Sequence, residues 1–125
     1  MKKKRFFLNY FERIHLQKDF IQVFKNGQKF ENKYIKILIH KRNDEHLVRR
    51  LGLIVSRKIG KAVERNKVKR KLREIFRINK HLLKTGFDFV FIPKVRSVFL
   101  DYNNLMNVIF DEIKNAECFL EVEIK

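Results

Sequence analysis

A long two-sided helix predicted in the middle of the chain constrains the fold most. Of the 24 residues from 57 to 80, 11 are Lys or Arg and two are Glu. At about 100° per residue, the apolar positions of a helix over 64–80 fall on one side and the cations on the other. The apolar positions are Val68, Leu72, Ile75 and Phe76. One side must pack on a core. The other is either a solvated face or a phosphate-binding surface, and its single sign of charge favours phosphate binding.

The same charge imbalance runs through the whole chain. Its 125 residues hold 30 Lys and Arg against 14 Asp and Glu, a formal net charge of +16. Such an excess repels itself unless a polyanion neutralises it, so nucleic acid is the favoured partner. Hydrophobic residues make up 45% of the chain, which excludes a disordered basic tail. The length predicts a single domain over 1–125, with a flexible basic arm at 1–11.

Cysteine content and hydropathy indicate a cytoplasmic protein. The single cysteine, Cys118, excludes an intramolecular disulfide and a cysteine-based metal site. No apolar run approaches the roughly 18 residues of a membrane-spanning helix. The basic start of the chain lacks the apolar stretch of a signal peptide. We expect no membrane partner.

The remaining segments predict an α+β, two-layer domain with a small, mainly antiparallel sheet. Periodicity predicts helices over 16–26, 64–80 and 101–118, and strands over 33–41, 48–56 and 87–92. Ile35, Ile37 and Ile39 form the core side of the first strand. A short polar connection predicts that the first two strands pair as an antiparallel hairpin. Gly27 is expected to end the first helix in the left-handed conformation.

An aromatic and cationic set near the first helix suggests a site for single-stranded nucleic acid. Phe20 and Phe24 lie one turn apart on that helix, and Tyr34 and Lys36 share the strand side opposite the isoleucines. Aromatic rings beside cations stack on unpaired bases while the backbone phosphates are neutralised. A core role for the two phenylalanines and a surface role for Tyr34 remain alternatives.

No constellation of residues suggests catalysis or metal binding by the chain itself. The four histidines lack a metal-ligand spacing, and the carboxylates do not cluster as a two-metal nuclease requires. Cys118 has no nearby histidine that could activate it as a nucleophile. The sequence therefore predicts a binding protein with no catalytic residue, no metal site and no small-molecule substrate.

One long motif resembles that of a known family. Residues 51–74 read LGLIVSRKIGKAVERNKVKRKLRE. This run closely resembles the signature of the bacterial ribonuclease P protein component: a glycine-containing strand ending in Val-Ser and two basic residues, then Gly, Ala-Val, Arg-Asn-Arg and a basic helix. The resemblance extends over about residues 12–113. Three positions depart from it: Lys67 replaces the second Arg, Leu38 stands where relatives can carry a tyrosine, and Pro93 displaces a basic residue to Lys94.

The resemblance implies a fold and a function. The fold would be a sandwich with a four-stranded sheet and a left-handed β-α-β crossover, like a ribosomal-protein domain. The protein would join a large catalytic RNA and help to remove the 5′ leader of precursor tRNA by hydrolysis, with Mg²⁺ held by the RNA and no cofactor on the protein. The single-stranded leader would lie in a cleft formed by Phe20, Phe24, Tyr34 and Lys36. The RNA subunit would contact Arg57, Lys58, Lys61, Arg65, Asn66, Lys67, Lys69, Arg70 and Arg73.

A second function class shares most of these features. A basic ribosomal or RNA-chaperone protein without a catalytic complex would carry the same charge, fold class and basic helix. The Val-Ser-Arg-Lys and Arg-Asn-Lys signature discriminates between the two, since general RNA affinity does not require it.

Overall fold

The structure is a computed structural model that describes residues 8–120. The described residues form three α-helices and four strands, with short 3₁₀ turns between them. The helices are α1 (Gln17–Asn26), α2 (Ala62–Asn79) and α3 (Tyr102–Ile113). The strands are β1 (Gln28–Glu31), β2 (Ile35–Lys41), β3 (Arg50–Leu53) and β4 (Phe87–Pro93). The α+β class predicted from the sequence is confirmed. The last helix ends five residues earlier than predicted.

The four strands form one mixed sheet in the order β1-β2-β4-β3. β1 pairs with β2 and β2 with β4, both antiparallel, while β3 pairs with β4 in parallel. The predicted hairpin of the second and third strands is therefore wrong, because β4 lies between them. β4 is apolar on both sides and takes a central place, where both faces are covered. The parallel pair β3 and β4 is joined through α2, so the β-α-β unit that the resemblance implies is present.

The strand β1 was not predicted from the residues, although the resemblance implied a fourth strand. Phe30 is the only apolar residue in Gln28–Glu31, so the segment lacks the alternation that identifies a strand. The segment is a strand because it pairs with residues 36–39 of the longer strand β2. Phe30 packs at the edge of the core beneath the sheet.

One face of the sheet, called here the core face, is covered by α2 and α3. Ile35, Ile37 and Ile39 all point into this layer and are at most 5% exposed, which confirms the predicted core side of the strand. The apolar side of α2 is buried against them as predicted. The side chains of α2 in this core are Val68, Leu72, Ile75 and Phe76. This layer holds most of the buried apolar surface of the described residues.

The opposite face, called here the α1 face, carries a much smaller core. Its buried members are Ile14, Val23, Leu38 and Val90. Val23 is the only fully buried residue of α1, and the helix crosses this face alone. The side chains that partly complete the cluster are Phe20, Ile54 and Ile92. Part of this face therefore remains uncovered beside α1.

The chain before α1 covers the edge of the sheet at β3. The backbone N–H of Ile14 donates to the carbonyl of Leu51 on β3 at 3.0 Å, and Ile14 is buried. Glu12 is also buried and forms an ion pair with Lys80 at 2.6 Å. Covering the outer strand in this way removes an unpaired edge. The predicted arm at 1–11 lies outside the described residues up to residue 7, and from Leu8 onward the chain is folded onto the domain.

Two glycines are required by close approach and by backbone conformation. Gly27 caps α1, but its φ is −76°, so the predicted left-handed cap is wrong. A Cβ there would lie 2.4 Å from the carbonyl oxygen of Val23, which explains the glycine without a positive φ. Gly60, before α2, has a φ of +146°, a conformation that other residues rarely adopt.

Candidate nucleic-acid interface

The predicted cationic residues form one continuous segment from the end of β3 to the middle of α2. Six of the nine predicted residues are exposed: Arg57, Lys58, Lys61, Asn66, Lys67 and Arg70. The other three, Arg65, Lys69 and Arg73, are half-buried. The apolar residues of α2 point the opposite way into the core. The helix thus presents a cationic side to solvent without disturbing its packing, and we call this segment the basic surface.

Hydrogen bonds in the turn over residues 56–60 orient the side chains at the start of the basic surface. The hydroxyl of Ser56 accepts from the backbone N–H of Lys58 at 3.1 Å. The Arg65 guanidinium donates to the carbonyl of Gly60 at 2.8 Å, and buried Ile59 anchors the turn in the core. The glycine, serine and arginine of the motif are therefore explained by local geometry. Arg57 and Lys58 are left pointing outward.

The two phenylalanines of α1 occupy different environments. Phe20 is half-buried, and its ring lies so close to Gly52 that a Cβ there would be 2.5 Å from Cε1 of the ring. Phe24, one turn later, is 49% exposed. Val23 is the fully buried core contact of the helix, Phe20 packs partly buried against that core, and Phe24 is not part of it. Phe24 is therefore available to a ligand, while Phe20 is held against β3.

Lys36 and Tyr34 are placed differently from each other. Lys36 lies on β2 on the α1 face, with its Cα opposite those of Ile92 and Glu31. Tyr34 precedes the strand, where its backbone N–H donates to the Asn32 side chain at 2.8 Å. Tyr34 therefore does not take the place of the tyrosine that relatives can carry at position 38, where Leu38 is buried in the small core. Leu38 makes this part of the α1 face apolar.

Two further lysines lie near Lys36 and were not predicted. Lys94 and Lys29 pair with Glu31 at 2.6 and 3.4 Å. The Lys94 hydrogen bond is the main cause that lowers the pKa of Glu31. Lys94 follows Pro93, so the displaced basic residue is still present at this end of the sheet. Sequence alternation alone could not have identified it, because Lys94 lies just beyond the strand.

A pocket of about 240 Å³ lies between the basic surface and α1. Phe20 and Gly52 line one side, and Lys69 and Arg73 of α2 line another. Arg13 and His15, before α1, complete the polar part. At the β3 edge of the sheet, Phe20 of the predicted cleft therefore lies beside Lys69 and Arg73 of the basic surface. The other predicted cleft residues, Phe24, Tyr34 and Lys36, do not line this pocket. Arg13 and His15 were missed because the stretch before α1 has no clear periodicity.

A buried ion network fixes α1 to the sheet. Asp88 on β4 is 2% exposed and accepts from Arg42 at 2.8 Å and from Arg50 at 2.6 Å. Arg50 also reaches Asp19 of α1 at 3.4 Å. Hydrogen bonding to Asp88 raises the pKa of Arg50. Through Asp19 the network links the sheet to α1, the helix that carries Phe20 and Phe24.

Residues 8–120 contain no group of three or more His, Cys, Asp or Glu side chains that could hold a metal ion. Cys118 is fully buried, and burial raises the pKa of its thiol to about 11. A thiol in that state is a poor nucleophile. No helix in the same range is long and apolar enough to cross a membrane.

Comparisons with known proteins agree on one family. The family model described as Ribonuclease P matches residues 8–117. The ribonuclease P protein component of Thermotoga maritima is 47% identical over 83 residues, which cover 66% of this chain and 69% of that protein. The component from Petrotoga mobilis is 38% identical over 111 residues, covering 85% of this chain and 92% of that protein.

Solved structures show the same fold. The Staphylococcus aureus RNase P protein matches with a TM-score of 0.77 and 30% identity, over 87% of this chain and 98% of that one. The Thermotoga maritima RNase P protein matches with a TM-score of 0.75 and 38% identity, over 85% of this chain and 98% of that one. The similarity therefore extends over sequence, architecture and nearly the full length of both structures.

Proposed function

This chain belongs to the ribonuclease P protein family, whose members are components of a tRNA-processing endoribonuclease, and from this membership we propose how it binds RNA. The basic surface binds the catalytic RNA. The α1 face binds the single-stranded 5′ leader of precursor tRNA. The observation that supports the proposal most directly is the pocket at the β3 edge, where Phe20 of the predicted cleft lies beside Lys69 and Arg73 of the basic surface.

The exposure and charge of the basic surface support its contact with the RNA subunit. Its exposed cations carry no salt bridge within residues 8–120, so binding phosphates breaks no existing ion pair there. Each cation that reaches a phosphate releases condensed counterions, which is a favourable, salt-dependent term. Lys67 in place of arginine retains the charge but not the bidentate geometry.

The incomplete cover of the α1 face supports leader binding. Phe24 offers an exposed ring, and Lys36, Lys29 and Lys94 place cations on or beside the same face. An unpaired base can stack on the ring while its phosphate meets a cation. A base-paired helix could not present its base faces in this way.

In this proposal the protein binds and orients RNA, and the RNA subunit holds the Mg²⁺ that promotes hydrolysis. The chain's own contribution is a positioned leader, since binding it in a fixed place orients the cleavage site.

Reconstitution with a ribonuclease P RNA tests the leader contact. We expect Phe24→Ala to reduce the preference of the holoenzyme for precursor tRNA over leaderless tRNA by about 5- to 150-fold, because ring–base stacking contributes roughly 1–3 kcal/mol. Ile21→Ala, a change at another exposed residue of α1 (44% exposed), is the matched control and should keep the preference. The measurement is the affinity for both RNAs with the chemical step slowed.

Two results would contradict the proposal. Unchanged leader preference in both Phe24→Ala and Phe20→Ala would show that the leader does not contact α1. Failure of the wild-type protein to stimulate cleavage by any ribonuclease P RNA would favour the alternative, a basic RNA-binding protein without a catalytic complex. The protein without RNA is the control for cleavage and should be inactive.

A further inference from the structure

A larger groove, of about 430 Å³, lies beyond the N-terminal end of α1. We call it the N-terminal groove. Its volume is within the range of pockets that enclose a small planar ligand. Tyr10 and Phe11 form one wall, and Leu16 and Asp19 of α1 form part of another. None of these four residues belongs to the predicted leader cleft or to the basic surface.

The aromatic wall of the N-terminal groove is unusually exposed for large apolar side chains. Tyr10 is 67% and Phe11 71% exposed. The Tyr10 ring stacks on the His15 ring, with centroids 3.9 Å apart and planes 17° apart, and meets Phe11 edge to face at 5.7 Å. An exposed ring already stacked on one side offers its other face to a further planar group.

The segment that carries these rings is held rigidly. The Asn9 side chain caps the turn Tyr10–Glu12 by accepting from the backbone N–H of Phe11 at 3.0 Å. The Glu12–Lys80 ion pair at 2.6 Å and the backbone bond from Ile14 to Leu51 fasten both the turn and its exit to the domain. Little conformational freedom is therefore lost when a ligand stacks on the rings.

The charges in the groove favour a planar group that carries a negative charge over a cationic or purely apolar ligand. The carboxylates Asp19 and Asp44 are already paired with Arg50 and Arg42, at 3.4 and 3.1 Å. Arg13 is exposed and has no salt bridge within residues 8–120. The groove thus combines a stacking wall with one uncompensated cation, which suits a base and its phosphate.

We propose that the N-terminal groove binds an unpaired base of the leader, next along the strand from the nucleotides on the α1 face. This inference rests on the proposed function. Arg13 and His15 line both this groove and the pocket that contains Phe20, so the two are contiguous. Leu16 precedes Phe20 by about one helical turn, or roughly 5.4 Å. A single strand can therefore pass from one to the other.

Leaders with one abasic nucleotide test the inference. The wild-type holoenzyme is titrated with precursor tRNAs in which each leader base in turn is removed, and the titration is repeated with Tyr10→Ala/Phe11→Ala. We expect one or more leader positions at which loss of the base weakens binding to wild type by about 5-fold or more, but no longer weakens binding to the double variant. Phe24→Ala should abolish sensitivity at different positions.

Controls distinguish a loss of binding from a loss of folding, and specific binding from nonspecific contacts of an exposed ring. Phe11→Ala alone leaves the Tyr10–His15 stack in place and should show part of the effect with an unchanged melting temperature. Phe99→Ala, which removes an 83% exposed ring outside both sites, should keep the wild-type pattern. Wild-type sensitivity at every leader position in the double variant, or an equal loss for leaderless tRNA, overturns the inference. A wild-type holoenzyme insensitive to every abasic position overturns base stacking at both the N-terminal groove and the α1 face.

Discussion

The two faces of the sheet differ in how they are covered. Two helices bury the core face with a continuous set of apolar side chains, among them Phe76, Phe89 and Phe91, all at most 1% exposed. A single short helix crosses the α1 face, where four buried side chains form a separate small cluster. Buried apolar surface is therefore concentrated on the core face, and the α1 face retains the exposed ring of Phe24.

The faces also differ in how their helices are positioned. The core face relies on packing, which is strong but not directional. The α1 face uses the network of Asp88, Arg42, Arg50 and Asp19, in which charge-assisted hydrogen bonds specify orientation. A helix with only one fully buried residue needs such bonds to hold a fixed position.

The largest expected effect is on the core face. Phe76→Ala should reduce the free energy of unfolding by about 3–5 kcal/mol, because it removes a fully buried ring and leaves a cavity. Urea denaturation followed by circular dichroism measures it. Phe24→Ala on the α1 face, measured in parallel, should cost less than about 1 kcal/mol. Equal costs for the two substitutions would end the distinction between the faces.

An intermediate effect is expected where α1 meets the sheet. In Gly52→Ala the new methyl would lie 2.5 Å from the Phe20 ring, so the ring must move. We expect a loss of about 1–3 kcal/mol in unfolding free energy, together with weaker leader preference. The same substitution in a Phe20→Ala background should cost much less, since the overlap is gone. An equal cost in both backgrounds would show that the Phe20 contact is unimportant.

The smallest effect on stability is expected at the basic surface, on the far side of the helix that covers the core face. Arg70→Ala/Arg73→Ala should change the unfolding free energy by about 0.5 kcal/mol or less per site. The log–log salt slope of binding to the RNA subunit should fall by about one unit per lost phosphate contact. Lys84→Ala, at an exposed cation outside the predicted set, is the control. An unchanged slope in the double variant would contradict the assignment.

Local patterns in the sequence predicted most elements of the fold. The isoleucine alternation of β2 and the two-sided periodicity of α2 both appear as predicted, because each depends on neighbours within one element. The predicted start of the last helix at residue 101 is also close to the observed one, where the Asp101 side chain caps α3 by accepting from the backbone N–H of Asn104 at 2.8 Å. Pairing was harder. β3 joins β4 rather than β2, since strand order depends on which strand best fills the centre of the sheet.

The candidate site divides in the same way. The basic surface is confined to one turn and one helix, so its cationic run is visible from spacing and charge, whereas the choice of its nine residues followed the family resemblance. The cleft residues come from separate elements, and their exposure depends on packing. Sequence periodicity could not show that Val23 would be buried while Phe24 remains 49% exposed. It also could not place Arg13 and His15 beside Phe20.

By itself, the amino-acid sequence determined most of the helices and strands, the cationic side of α2 and the family signature, because hydrophobic period, charge and glycine positions act over a few neighbouring residues. The tertiary structure alone decided the strand order, the partners of Asp88 and the convergence of α1, β3 and α2 around one pocket. These features depend on contacts between residues far apart in the chain, which are selected by the packing of the whole sheet and not by any local pattern.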